Sequence, residues 1–124
     1  MTPKWAQLLY DDACSYLESQ GYKFHKLPLI WRHRSGTNST GTQWPFEIRI
    51  RQGSSRLDTK LVLLHETAHM VRPYQHHSAE FWDTCWELYR WAKLPMRYCK
   101  NREGSYKKRS LLAYRRIRKE TANG

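Results

Sequence analysis

The segment Leu57-Asp58-Thr59-Lys60-Leu61-Val62-Leu63-Leu64-His65-Glu66-Thr67-Ala68-His69-Met70-Val71 has a helical period: Leu57, Leu61, Leu64, Ala68 and Val71 recur every three or four positions. Neither Gly nor Pro interrupts it. Asp58 or Ser55 is placed to cap its start, and Pro73 follows its end. Inside it stands His65-Glu66-Thr67-Ala68-His69, the pattern H-E-x-x-H. Residues i and i+4 lie one above the other on a helix, so imidazoles at 65 and 69 can reach one ion. Neutral imidazole suits Zn²⁺. Glu66 projects beside the pair, where a carboxylate can take a proton from metal-bound water and later deliver it to a leaving group.

A catalytic zinc keeps three protein ligands and an open fourth position. For a third donor to approach, the helix must end and the chain must turn back. Arg72-Pro73-Tyr74-Gln75 provides that break, and His76 and His77 follow it. Glu80 is a further candidate donor. Hydrolysis also needs an oxyanion donor. Tyr74, His76 and Arg72 lie near in sequence, and nothing selects among them. His25 and His33 read as surface or strand residues rather than ligands.

Around this helix the pattern predicts an α+β chain. Lys4 to Gln20 reads as a helix stopped by Gly21. Leu27 to Arg34 reads as a strand, residues 35–43 as a polar loop, and Trp44 to Arg51 as a half-buried strand with Phe46, Ile48 and Ile50 on one face. The two strands are expected to pair as a hairpin in a small antiparallel sheet. Phe46–Arg51 is expected to offer its edge to an extended peptide. Ser78 to Lys93 reads as a helix with Ser78 as N-cap and Pro95 as its stop. Phe81, Cys85, Leu88 and Ala92 form one stripe on it, with Trp82, Trp86 and Tyr89 beside it. Trp82, Trp86 and Trp91 are expected in the core rather than stacked on nucleic-acid bases. Met96 to Arg102 is short and ambiguous in pattern, a strand being one reading. Ser105 to Glu120 reads as a basic helix packed through Leu111, Leu112, Tyr114 and Ile117.

Composition narrows the class. The chain has 124 residues, 40% of them hydrophobic and 14% aromatic, which fits one small folded domain. Its longest central apolar run, Leu61-Val62-Leu63-Leu64, is far too short to span a bilayer. The N-terminus lacks the apolar stretch of a signal peptide. Cys14, Cys85 and Cys99 are an odd count with no C-x-x-C pair, so neither a disulfide scaffold nor a zinc ribbon is expected. These features imply a cytoplasmic protein with reduced thiols.

The net charge of +11 is uneven: residues 1–95 hold 12 basic and 9 acidic residues, whereas residues 96–124 hold 10 and 2. Lys107, Lys108, Arg109, Arg115, Arg116, Arg118 and Lys119 crowd into thirteen positions. Such a cluster is expected to bind a polyanion, nucleic acid foremost. A solvated terminal helix, an acidic protein and a membrane surface are the other readings. No helix-turn-helix, finger or RNP signature accompanies it.

H-E-x-x-H, a short break, then His77-Ser78-Ala79-Glu80-Phe81 resembles the SprT-like zincins, which include the Spartan DNA–protein crosslink proteases. It is also similar to small metallohydrolases of actinobacteria and their phages. In those families the later element reads His-Gly-x-x-Phe and its His is the third zinc ligand. The resemblance therefore implies His65, His69 and His77 as ligands of one zinc, Glu66 as catalytic residue, and a minimal zincin-like domain over residues 1–95. Ser78 stands where the family has Gly, and the family's zinc ribbon is replaced by the basic segment 96–124. The implied activity is zinc-dependent hydrolysis of protein or peptide substrates at or near nucleic acid, without a membrane partner. Two readings compete with it: a nucleic-acid- or protein-binding module with a structural or vestigial zinc, and a zinc hydrolase of another substrate.

Overall fold

Pro3 opens the first helix, α1 (Lys4–Ser19): its carbonyl accepts from the amides of Ala6 and Gln7, both at 3.1 Å. Ala6, Tyr10, Ala13, Cys14 and Leu17 form its buried stripe. At its end Gly21 takes φ +93°, its amide donates to the Glu18 carbonyl, and the Tyr22 amide donates back to Leu17, each at 3.0 Å. This is a Schellman closure with glycine in the left-handed position, the stop that Gly21 predicted. The computed structural model describes residues 2–32, 41–43, 47–51, 55–72, 78–104 and 108–123. They form a helix-rich α+β chain that clusters into two compact units, Met1–Pro73 and Tyr74–Gly124.

The first unit contains α1, the strands β1 (Leu29–Arg32), β2 (Gly41–Gln43) and β3 (Ile48–Arg51), and the helix α2 (Arg56–Val71). The strand order is β1-β3-β2. β1 runs parallel to β3, with Leu29 opposite Ile48 and Trp31 opposite Ile50. β2 runs antiparallel to β3, with Gly41 opposite Ile50 and Gln43 opposite Ile48. This corrects the expected antiparallel hairpin. The stretch 33–47 is long enough for the crossover that parallel pairing needs. Part of it, Gly41–Gln43, expected as loop, is itself the strand that pairs with β3. β3 is therefore central, and the edges of the described sheet are β1 and β2, so the expected free edge at Phe46–Arg51 is not there. Ile48 and Ile50 are fully buried as their alternation required, whereas Phe46 lies outside the described residues.

The second unit begins its described part with α3 (Ala79–Trp91). Its N-cap is Ser78, whose Oγ accepts from the Phe81 amide at 3.2 Å. Phe81, Trp82, Cys85, Trp86, Leu88 and Tyr89 are fully buried, so both aromatic-bearing stripes are core; Trp91 is only half-buried. The helix stops before Pro95 through a second Schellman closure, in which Lys93 takes φ +59° and the Leu94 amide donates to Tyr89 at 3.0 Å. Pro95 then opens α4 (Met96–Cys99), which runs into a single π-helical turn, Lys100–Gly104. The segment Met96–Arg102, ambiguous in sequence, is thus helical rather than a strand.

The basic helix α5 (Lys108–Asn123) packs on α3 within this unit. Among its described side chains the buried positions are Ser110, Ala113 and Ile117, spaced i, i+3 and i+7. Of the expected contacts only Ile117 is buried; Leu111 and Tyr114 are half-buried and Leu112 is exposed. Small residues replace the expected leucines because a Trp fills the interface. Trp86 donates from Nε1 to Ser110 Oγ at 3.2 Å and sets its ring 5.0 Å from that of Tyr114.

The two left-handed caps make opposite predictions. Gly21→Ala forces a Cβ into the strained region and is expected to cost about 1 kcal/mol, although open space surrounds the position. Lys93→Gly relieves that same strain and is expected to gain up to about 1 kcal/mol. Urea unfolding of the two variants checks both signs.

Alkaline pH is expected to destabilise the fold. Burial pushes the Cys14 thiol from 9.0 to about 11 and the Cys99 thiol to about 12, and raises the phenols of Tyr10 and Tyr89. The folded chain therefore holds these protons more tightly than the unfolded one. The associated stability is complete below the ordinary thiol value and is lost as pH rises from there through the folded values. Tm should stay level between about pH 7 and 8.5 and then fall up to pH 12. A Tm that held steady to pH 12 would contradict this.

Candidate metal centre

α2 starts where Ser55 Oγ accepts from the Asp58 amide at 3.1 Å, while Asp58 in the first turn complements the helix dipole. Its core-facing residues follow the sequence pattern: Leu61, Leu64, Ala68 and Val71 are buried, and Leu57 is half-buried. Burial goes further than one stripe. From Leu61 to Val71 every residue is buried except His65 and His69. α1, β2 and β3 all pack on this helix. The two histidines are thus the places where its C-terminal half meets the surface.

The i, i+4 spacing sets the two imidazoles edge to face, with ring centroids 5.0 Å apart and planes at 68°. Glu66 lies between them in sequence and is only 7% exposed. One donor atom from each of His65, Glu66 and His69 lies within 4.8 Å of the others, so the three could hold a metal ion. Imidazole nitrogen and carboxylate oxygen are both ligands of the borderline divalent metals. A dication held there would sit beside the buried Glu66 carboxylate and favour its charged form.

The last turn of α2 is tied to the rest of its unit through the residue after His69. Met70 Sδ receives the Leu27 amide at 3.4 Å and lies 3.3 Å from the Tyr10 hydroxyl. That hydroxyl also donates to the Leu27 carbonyl. Tyr10 is fully buried. Lys26, beside Leu27, pairs with Asp11 at 2.7 Å; this holds the Asp11 carboxyl below its usual range and the Lys26 amine above its own. Arg72 closes the helix with its guanidinium 5.1 Å over the Tyr22 ring. The Tyr10–Leu27–Met70 junction was not expected from the sequence, because no local spacing links residues so far apart in the chain.

The other expected site residues fall as follows. His77, the third ligand implied by the resemblance, lies outside the described residues, as do His76, Tyr74, His33 and Lys107. Glu80 is exposed in the first turn of α3, and His25 is exposed as expected of a surface residue. Lys108, Arg109, Arg115, Arg116, Arg118 and Lys119 all belong to α5. Arg115 and Arg116 are exposed, and Arg116 pairs with Asp83. Among the described residues no helix is long and apolar enough to cross a membrane. No family model, curated protein or solved structure matches the chain.

A metal held by α2 binds the folded state and stabilises it by mass action, about 2.7 kcal/mol at a hundred times Kd. Adding Zn²⁺ to the chelator-treated protein is therefore expected to raise Tm by several degrees. The rise should disappear in His69→Ala. Calorimetry checks it, and an equal rise in that variant would place the metal elsewhere.

Proposed function

We propose that the chain is a zinc-dependent metallopeptidase of the SprT-like type. The observation that carries this reading is the convergence of two half-exposed imidazoles and one buried carboxylate on a single helix. His65 and His69 would hold the ion, and His77 is the third ligand that the resemblance implies. When bound, zinc acts as a Lewis acid that lowers the pKa of a water and polarises a substrate carbonyl.

The remaining steps belong to the chain. Glu66 receives the proton of the attacking water and returns it to the leaving amine, which is general base and then general acid catalysis by one carboxylate. Its burial keeps bulk water from competing for that proton. The packing of α2 fixes the three side chains before substrate arrives, so little reorganisation accompanies reaction. A substrate peptide would add to the sheet at β2, which is an edge strand and packs on α2.

Two variants test the proposal together. Glu66→Gln is expected to retain one zinc per chain while peptide cleavage falls by about 10²–10⁴. His77→Ala is expected to lose zinc at a given free concentration. The readouts are metal content by mass spectrometry and cleavage of a fluorogenic peptide library. Zinc retained with no cleavage by the wild-type chain would make the metal structural, the expectation for a binding module. Undiminished cleavage by Glu66→Gln would remove that residue from the mechanism.

A further inference from the structure

From Leu61 to Arg72 the residues of α2 and its C-cap that are not buried are His65, His69 and Arg72. They are spaced i, i+4 and i+7, which is one line along a helix. The Arg72 amide donates to the Ala68 carbonyl at 3.0 Å, so the residue keeps its place at the end of that line. Residues three apart on a helix have Cβ atoms about 5–6 Å apart, so Arg72 is the next group beyond His69. Its guanidinium lies 5.1 Å over the Tyr22 ring. Tyr22 is itself fixed by the turn that ends α1, where its amide donates to the Leu17 carbonyl at 3.0 Å. Leu27 donates its amide to Met70 Sδ at 3.4 Å. Both ends of the segment 22–27 are thus tied to the last residues of α2 and its cap. The segment brings Lys23, which is exposed, and Lys26, which pairs with Asp11. Between Glu18 and Glu47 the sequence holds no Asp or Glu. The C-terminal end of the α2 line is therefore flanked by positive charge.

We propose that Arg72 is a specificity residue of the metal centre: it binds the carboxylate of an acidic side chain, Asp or Glu, in the peptide substrate, close to the bond that is cleaved. The inference rests on the metallopeptidase reading and adds the class of its substrate. A guanidinium is planar and always charged, and its N–H groups match a carboxylate in two parallel bonds. A long side chain loses rotamer freedom when it grips a ligand, and the Tyr22 ring has already removed part of that freedom. A peptide laid in extended form across His65 and His69 places successive residues about 3.3 Å apart. Residues one or two from the scissile bond then come within reach of a side chain one turn beyond His69. A cation at a helix C-terminus also complements the helix dipole. That role alters stability, but it does not choose between two ligands that differ only in charge.

The test reads affinity on the zinc-loaded full chain. The probes are tripeptide hydroxamates, in which the hydroxamate ligates the metal, the peptide extends to one side of it or the other, and the far end is blocked. One series carries a single Glu at each position in turn, and the other carries isosteric Gln. At one position Glu is expected to bind at least about tenfold more tightly than Gln, as one charge-assisted hydrogen bond provides. Arg72→Gln should bring that ratio to within about twofold of unity, with zinc content unchanged. Arg72→Glu should reverse the preference, so that a Lys probe binds better than its Gln counterpart. If these variants fail to fold by circular dichroism, Tyr22→Leu takes their place, and the ratio should fall at least about threefold. Glu and Gln bound alike by the wild-type chain, or a preference for Glu that survives Arg72→Gln, would overturn the inference and leave the metal centre standing. So would tighter binding of a probe with a free terminal carboxylate than of any blocked Glu probe, which would assign Arg72 to chain ends. A chain that takes up no zinc, or that binds no probe once loaded, would instead remove the metallopeptidase reading and this subsite with it.

Discussion

The burial of α2 is the constraint on which the first unit depends. Between Leu61 and Val71 only two side chains, His65 and His69, are not buried. A helix enclosed on most of its circumference is ordinarily apolar all round. This one holds a Glu and a Thr within the enclosed part, and each must find partners where water is scarce. Thr67 does so locally, donating to the Leu63 carbonyl at 2.7 Å. The helix thus has no freedom to rotate or slide without exposing Leu64 and Ala68 or burying the histidines. Packing that leaves one narrow outlet for a surface also fixes what stands in that outlet.

The Tyr10–Leu27–Met70 junction adds a constraint at the end of the helix nearest His69. Each contact to sulfur is weak, on the order of 1 kcal/mol or less. Their effect comes from position: they bind the last turn of α2, the middle of α1 and the chain leading to β1 at one buried point. A helix terminus lacks intrahelical partners for its final carbonyls and tends to fray. Anchoring Met70 from the side keeps the turn that carries His69 intact. Two imidazoles four residues apart serve one ion only while that turn is helical.

What the sequence made legible was local chemistry. Ser78 and Gly21 each fix one backbone event and stand at their expected caps, and of the two candidates for the start of α2, Ser55 and Asp58, it is Ser55 that caps it. The i, i+4 histidines needed nothing beyond a helix. The sheet was less legible. Gly41-Thr42-Gln43 is three polar residues without alternation, and it becomes a strand because β3 has an unpaired side to complete. The parallel register of β1 and β3 is likewise a choice between distant segments. Lys93 carried no sign of a left-handed cap, since Gly is the usual residue there. On α5 the leucines are the conspicuous apolar residues, yet Ser110 and Ala113 form the docked face. Small residues are what a helix needs where a Trp on its neighbour fills the interface.

That docked face also explains why so much positive charge can gather on one short unit. Crowded cations repel one another and oppose the compact state. The Arg116–Asp83 pair relieves little of this, because both side chains are about half exposed, at 50% and 48%, and such pairs contribute under about 1 kcal/mol. Packing around Trp86 contributes more: truncating a fully buried Trp costs about 3–5 kcal/mol. α5 is therefore held to α3 chiefly by an apolar contact on one side. Arg115 is exposed and stands apart from that contact.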